Sequence, residues 1–219
     1  MNRFFFLLVF AALFAACGGP AGEEITSEDA ADAAAGTTEL LASAVYAVDT
    51  AASVINWEGA KIAYNHVGTA PVSDGKLMVA DGKLVGGKFT IDLRRIANTD
   101  IPEAEKQAKL VGHLQSPDFF DVATYPTADF EITQIQPATG EDRNHEITGN
   151  LMMKGQTRSI TIPAMISMEG DMIKATTPKF TINRTEWGVN YNNSGIAGII
   201  KDDIINDEIG LEIMLTAKK

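Results

Sequence analysis

Residues 110–130, LVGHLQSPDFFDVATYPTADF, decide the fold. A helix-compatible run from Pro102 to Leu114 ends at Ser116-Pro117, because the residue before a proline is pushed out of the helical region. The aromatic pair Phe119-Phe120 follows. Tyr125-Pro126 then leads into an alternating segment that puts Ala128, Phe130 and Ile132 on one face. On either side of this stretch the chain reads almost wholly as strand. One helix between strands, with two phenylalanines at its exit, predicts a lid or plug on a β-barrel.

Working outward, apolar residues recur with period two. Upstream, Ser53, Ile55 and Trp57 share a face; Leu77 and Val79 precede Asp81-Gly82, a two-residue hairpin signal. Leu84 follows, then a bend at Gly86-Gly87, then Phe89, Ile91 and Leu93. Downstream, Ile147, Gly149, Leu151 and Met153 alternate up to a turn at Gly155-Gln156. A return strand carries Ile160, Ile162, Ala164, Ile166 and Met168 on one face, and a turn follows at Glu169-Gly170-Asp171. Phe180 and Ile182 begin another strand, and Ile209, Leu211, Ile213 and Leu215 close the chain. The expectation is an all-β chain: an antiparallel barrel of about eight strands with one helix inserted around residues 102–114, occupying residues 45–219. Eight strands enclose room for one small ligand. The inward set is aliphatic and uncharged, which suits a flexible hydrocarbon. The same side chains equally describe a solid core, and both readings stand at this point.

The first sixteen residues read as a signal peptide. Arg3 precedes an apolar run from Phe4 to Phe14 that is too short to span a bilayer. Leu13-Phe14-Ala15-Ala16-Cys17 resembles a bacterial lipobox, with Phe14 where an aliphatic residue is usual. Cys17 is the chain's single cysteine, so no internal disulfide exists, and an exported odd cysteine is intermolecular, free or modified. Lipid attachment at Cys17 accounts for both its uniqueness and its position; an incidental cysteine in a discarded leader is the bland alternative. Gly18 in place of Asp favours the outer membrane, on the periplasmic side. Residues 17–44 carry six acidic and no basic side chains and no aromatic, which predicts a lipidated N-terminus followed by a disordered acidic tether. With a net charge of −11, nucleic-acid binding is not expected.

His66, His113 and His145 are the only histidines and none has metal-ligand spacing, so no metal site is expected. His113 at the helix end is expected to cap terminal carbonyls, with contact to a ligand head group as the alternative. Arg184 and Trp187 fall on opposite faces if their segment is a regular strand. An inward Arg184 suits a phosphate; the alternative is an internal ion pair with Asp118 or Asp121. Phe119 and Phe120 read first as anchors of the helix. No nucleophile elbow or complete phosphate loop is present, so neither catalysis nor a cofactor is expected. An enzyme acting on a lipid head group would have only His113, Arg184 and a nearby carboxylate to use.

Several motifs occur in one order. Tyr46-Ala-Val-Asp49, Ser53–Trp57, Trp57–Lys61, His66-x-Gly68, Gly87–Leu93, His113–Asp121, Tyr125–Phe130, Gly149–Thr157 and Asn183–Gly188 together resemble YceI-like domains, over residue 46 to the C-terminus. Asn183-Arg184 stands where the family form is Asp-Arg. The resemblance implies a lipocalin-like barrel, exported from bacteria, that binds an isoprenoid lipid such as a prenyl quinone or polyprenyl phosphate. In such a barrel the candidate ligand contacts are Phe89, Ile91, Phe130, Ile147, Leu151 and Ile162 from the central strands. Phe180, Leu211 and Ile213 come from the last two, and His113, Phe119, Phe120, Arg184 and Trp187 from the helix exit and the Asn183–Gly188 motif. A ligand-free envelope scaffold or stress-related interaction module is the rival, and a homodimer is left open.

Overall fold

The structure is a computed structural model that describes residues 19–31 and 44–219. The signal-peptide and lipobox expectations for residues 1–16 and Cys17 lie outside the described residues, as does the tether expectation for residues 32–43.

The wall is built from β3 (Ala44–Val48), β4 (Val54–Lys61), β5 (Asn65–Ala80), β6 (Lys83–Asp92), β8 (Thr127–Pro137), β9 (His145–Met153), β10 (Gln156–Glu169), β11 (Met172–Thr176), β12 (Phe180–Asn183) and β13 (Ile205–Lys218), with the short β7 (Ala97–Asn98) beside β5. Neighbours run β13-β11-β10-β9-β8-β6-β5, and β5 returns to β13 through β3 and β4. The eight-position ring closes as an antiparallel barrel. β3 and β4 occupy one position end to end, since both lie between β5 and β13. β11 and β12 likewise share one position beside β13.

Local chemistry explains the turns. Asp81 and Gly82, and Lys154 and Gly155, all have positive φ, the left-handed pair that a tight hairpin needs. The second turn therefore sits one residue earlier than the sequence suggested. The helix α1 runs from Ala104 to Gln115 and stops before Ser116-Pro117 as expected. It has no fully buried residue; Val111 and Leu114, with Phe120 and Val122 from the following turn, pack partly against the barrel core. It is a lid laid on one end of the barrel rather than a plug inserted into it.

The expected disordered tether is corrected in its first half. Residues Glu23–Ile25 form β1 and Ser27–Asp29 form β2, both hydrogen-bonded into the wall.

The alternation read from the sequence places Ile147, Leu151 and Met153 inside on β9. Gly149 shares that face, and the Phe130 ring lies across it: a Cβ there would collide with Phe130 Cζ. The rigid ring fills the volume a side chain would need. Gly149→Ala is therefore expected to destabilise the domain by about 1–3 kcal/mol, a drop of several degrees in Tm measured by circular dichroism.

Candidate functional site

The barrel interior is a single apolar cluster. Phe89, Ile91, Phe130, Ile147, Leu151, Ile162, Phe180, Trp187 and Ile213 are all buried in it, and Leu211 and Phe120 pack partly against it. Alternation on paired strands brings them together: Phe89 faces Phe130 across β6–β8 with ring centroids 5.5 Å apart, and Phe130 is opposite Leu151 on β9. A cavity of about 40 Å³ lies toward the end away from α1, lined by Leu77, Phe89, Phe130, Ile147, Ile166, Leu215 and their neighbours. Thr176 and Thr177 are the only polar residues on its lining, which holds no charged side chain.

The end under α1 is closed by a 3-10 turn, residues Arg184–Trp187, where the sequence suggested a strand. Asn183 accepts from the Thr185 amide at 3.0 Å and from its hydroxyl at 2.6 Å, and Gly188 ends the turn in the left-handed region. A turn this tight puts Arg184 and Trp187 on the same side, and both are buried, at 2% and 0% exposure. Trp187 crosses the interior and its Nε1 donates to Leu151 O at 2.9 Å. Arg184 Nε donates to Asn206 O at 3.0 Å, Nη1 to Val189 O at 2.5 Å and Nη2 to Ile205 O at 3.1 Å. Its acidic neighbour is Asp207, at 3.8 Å, and neither Asp118 nor Asp121. Burial pulls the Arg184 guanidinium below its ordinary value, and Asp207 opposes that shift. Buried, and with three of its five N–H donors on backbone carbonyls, Arg184 reads as a structural tie between the loop after β12 and the start of β13 rather than as a phosphate ligand.

His113 does not cap the helix. Ser116 does so, donating from its amide at 3.1 Å and its hydroxyl at 2.8 Å to His113 O. The imidazole instead meets Asp118 at 3.1 Å and stands edge-on to Phe119 and Tyr191, 4.9 and 4.7 Å between centroids. Phe119 is buried in this satellite group, outside the core cluster. Tyr191 had no signal in the sequence, because a long irregular loop delivers it. His66 pairs with Asp100 and His145 with Asn144. Among the described residues no group of His, Cys, Asp and Glu is arranged to hold a metal.

A second recess of about 260 Å³ has a mixed lining, with Asn56, Glu58, Lys179 and Glu212 beside Trp57 and Leu211. Its polar groups pair with one another: Asn56 donates to Glu212 at 2.8 Å and Lys179 lies 3.6 Å from Glu58, while Trp57 Nε1 is buried without a partner among the described residues. It resembles a paired-charge surface more than a ligand site.

The model of the YceI-like domain matches residues 46–217. The chain belongs to the YceI-like domain family. It is 33% identical over 117 residues to a "UPF0312 protein" of Azotobacter vinelandii, covering 53% of this chain and 57% of that one. It is 31% identical over 146 residues to a Pseudomonas putida "UPF0312 protein", covering 66% and 71%. The chain thus spans a little over half of the first relative's length. Among solved structures, Burkholderia cenocepacia BcnA aligns with a TM-score of 0.62 at 22% identity, over 78% of this chain and 99% of that one. A polyisoprenoid binding domain from Saccharophagus degradans aligns at 0.57 and 17%, over 79% and 97%. At these identities the likeness is one of fold.

Two features of this YceI-like barrel are testable. Arg184→Met strands three carbonyls, one of them on the buried Val189, and is expected to cost about 3 kcal/mol in urea unfolding, with Arg184→Lys recovering only part. Glu208 Oε2 is buried without a partner among the described residues, and burial, with Glu24, Asp207 and Glu186 nearby, raises its pKa above 4.5. A raised folded-state pKa contributes stability at low pH that is lost as pH climbs through that value. Glu208→Gln should therefore raise Tm relative to the parent at pH 8 and bring little gain at pH 4.

Proposed function

We propose that the protein binds an apolar, isoprenoid-class lipid non-covalently in the barrel interior, without catalysis, as a lipid-anchored protein of the bacterial envelope. The observation that carries this is the interior itself: a closed wall around one uncharged apolar cluster, in a family whose Saccharophagus degradans structural relative is described as polyisoprenoid binding. An apolar lining without a convergent set of charged groups recognises chain length and branching, not a charged head. Prenyl quinones and neutral polyprenols fit better than a polyprenyl phosphate, because Arg184 is 2% exposed and each of its three nitrogens already donates to a backbone carbonyl.

Energetics favour a carrier. Burying one five-carbon isoprene unit from water is worth about 4 kcal/mol, at about 0.8 per carbon. A long chain taken from water would exceed any observed affinity. Taken from a bilayer, where the tail is already in hydrocarbon, the transfer is close to neutral, so pickup and delivery are both feasible. Acylation of Cys17 would hold the barrel beside that bilayer, since more than one acyl chain is needed for stable anchoring.

The interior cavity of about 40 Å³ favours one rival. A drug-sized ligand occupies roughly 300–1,000 Å³, so lipid binding requires the wall and the Trp187 turn to rearrange, whereas a ligand-free scaffold requires nothing. Export of the full chain in bacteria, followed by native mass spectrometry and organic extraction, separates them. The expected result is a bound mass matching a prenyl quinone or polyprenol. Protein that is empty from several lipid backgrounds and takes up no added prenyl lipid would leave the scaffold. In the same cells, Cys17→Ser is expected to move the protein from the membrane to the soluble fraction.

A further inference from the structure

The barrel wall does not have the same number of strands at its two ends. Toward the cavity end, β11 joins β10 to β13 directly, with Ile173 opposite Met168 and Ala217. Toward α1, the equivalent position is held by β12, which pairs with β13 but not with β10. The opening between β12 and β10 is filled by residues 23–29. One side of this segment runs parallel to β12, with Glu24 beside Thr181 and Ile25 beside Ile182. The other runs antiparallel to β10, with Ser27, Glu28 and Asp29 opposite Ile160, Ser159 and Arg158. It is a ninth wall strand drawn from the N-terminal segment.

This strand is unlike the others in what holds it. Of its seven residues Ile25 alone is apolar, and four are carboxylates, a residue class that strands disfavour. Ile25 is its one contact with the core. Beyond the backbone pairing to β12 and β10, its ties are at the surface: Glu23 with Arg143 at 2.5 Å, Asp29 with Arg158 at 2.9 Å, and Asn150 clamping the Ala31 amide and carbonyl at 2.9 and 2.7 Å. Exposed ion pairs stabilise weakly. Glu24 stands near Glu208, whose carboxyl is buried without a partner among the described residues, and that proximity opposes docking of the strand. Few buried apolar contacts and surface-borne ties mark a segment that opens locally.

Behind the strand lies Trp187. Asp29, Arg158 and Leu151 form one row across β2, β10 and β9, and Trp187 hangs from Leu151 O in that row. Removing the strand would leave a slot of roughly 10 Å between the flanking backbones, twice the inter-strand spacing, with Trp187 behind it.

We propose that residues 23–29 are a removable wall strand, and that their release opens the route by which an apolar chain reaches the barrel interior. The ligand class rests on the isoprenoid reading; the removable strand does not. If Cys17 is acylated, the five residues from it to Gly22 span at most about 18 Å, so the docked strand holds this slot against the membrane that supplies the lipid.

The test starts from full-length Cys17→Ser protein, which has no other thiol. Glu28→Cys with Ser159→Cys places two cysteines directly opposite in antiparallel register, within disulfide reach. Two readouts are compared before and after reduction: hydrogen exchange at the residue 23–31 amides and the Trp187 indole, and uptake of a nitrobenzoxadiazole-labelled farnesyl lipid from phosphatidylcholine vesicles. Reduction is expected to speed exchange at both places and uptake by about tenfold or more, as for local opening of a low-stability segment. Asn150→Ala with Arg158→Ala, which loosens the strand without a crosslink, should move both readouts in the same direction and serves if the cysteine pair misfolds. Equal exchange in crosslinked and reduced protein, or strand amides as protected as those of β9, would overturn the removable strand. Exchange that responds to the crosslink while neither form takes up lipid would uphold the removable strand and reject the isoprenoid reading.

Discussion

Closing a strand wall around an apolar interior is the constraint on which the rest of the structure depends. Every backbone amide and carbonyl in the wall needs a partner, because unpaired ones cannot be left against hydrocarbon. β13 is where that requirement is met most heavily. Over fourteen residues it pairs with β4 and β12 along its first part and with β3 and β11 along its last. Its inward residues Ile213, Leu215 and Ala217 stand in the core between these partners. Two wall positions are made of strands laid end to end, so the ring closes only if this one strand keeps both registers.

The two ends of the barrel are then finished in different ways. At the cavity end the β10–β11 and β11–β13 ladders run to the rim. At the other, strands part, and the gaps are covered by pieces with little apolar area of their own: a helix with no buried residue, a 3-10 turn, and an acidic strand. The turn is the firm piece. Trp187 is fully buried and Arg184 ties to it one carbonyl of the following loop and two at the start of β13, a cation placed where acceptors converge. Firm closure beside weak closure in one rim gives the barrel a place to open without dismantling its core.

Much of this was legible in the sequence. Period-two alternation placed Phe89, Phe130, Ile147, Leu151, Ile162 and Ile213 on the inner face, and Ser116-Pro117 marked the helix end. β5 was read only at Leu77 and Val79, because a register shift between Val72 and Asp74 breaks the alternation along its sixteen residues. Arg184 and Trp187 were set apart by assuming a strand, although Asn183 as cap and Gly188 as stop are signals of a turn. His113 was assigned to capping when Ser116, three residues on, had the better-placed hydroxyl. Residues 23–29 were taken for tether because composition speaks against a strand there. Their pairing is supplied by two open edges far along the chain, which no local pattern reports.

The account's central claim is that an isoprenoid chain occupies the interior and not the outer surface. The most direct measurement is an isotope-filtered nuclear Overhauser spectrum of methyl-labelled protein with an unlabelled prenyl alcohol. The account expects cross-peaks from prenyl methyls to the methyls of Ile147, Ile162 and Ile213, which lie behind the wall. Saturating lipid that gives none, or contacts confined to outward residues such as Met152 and Met214, would contradict it.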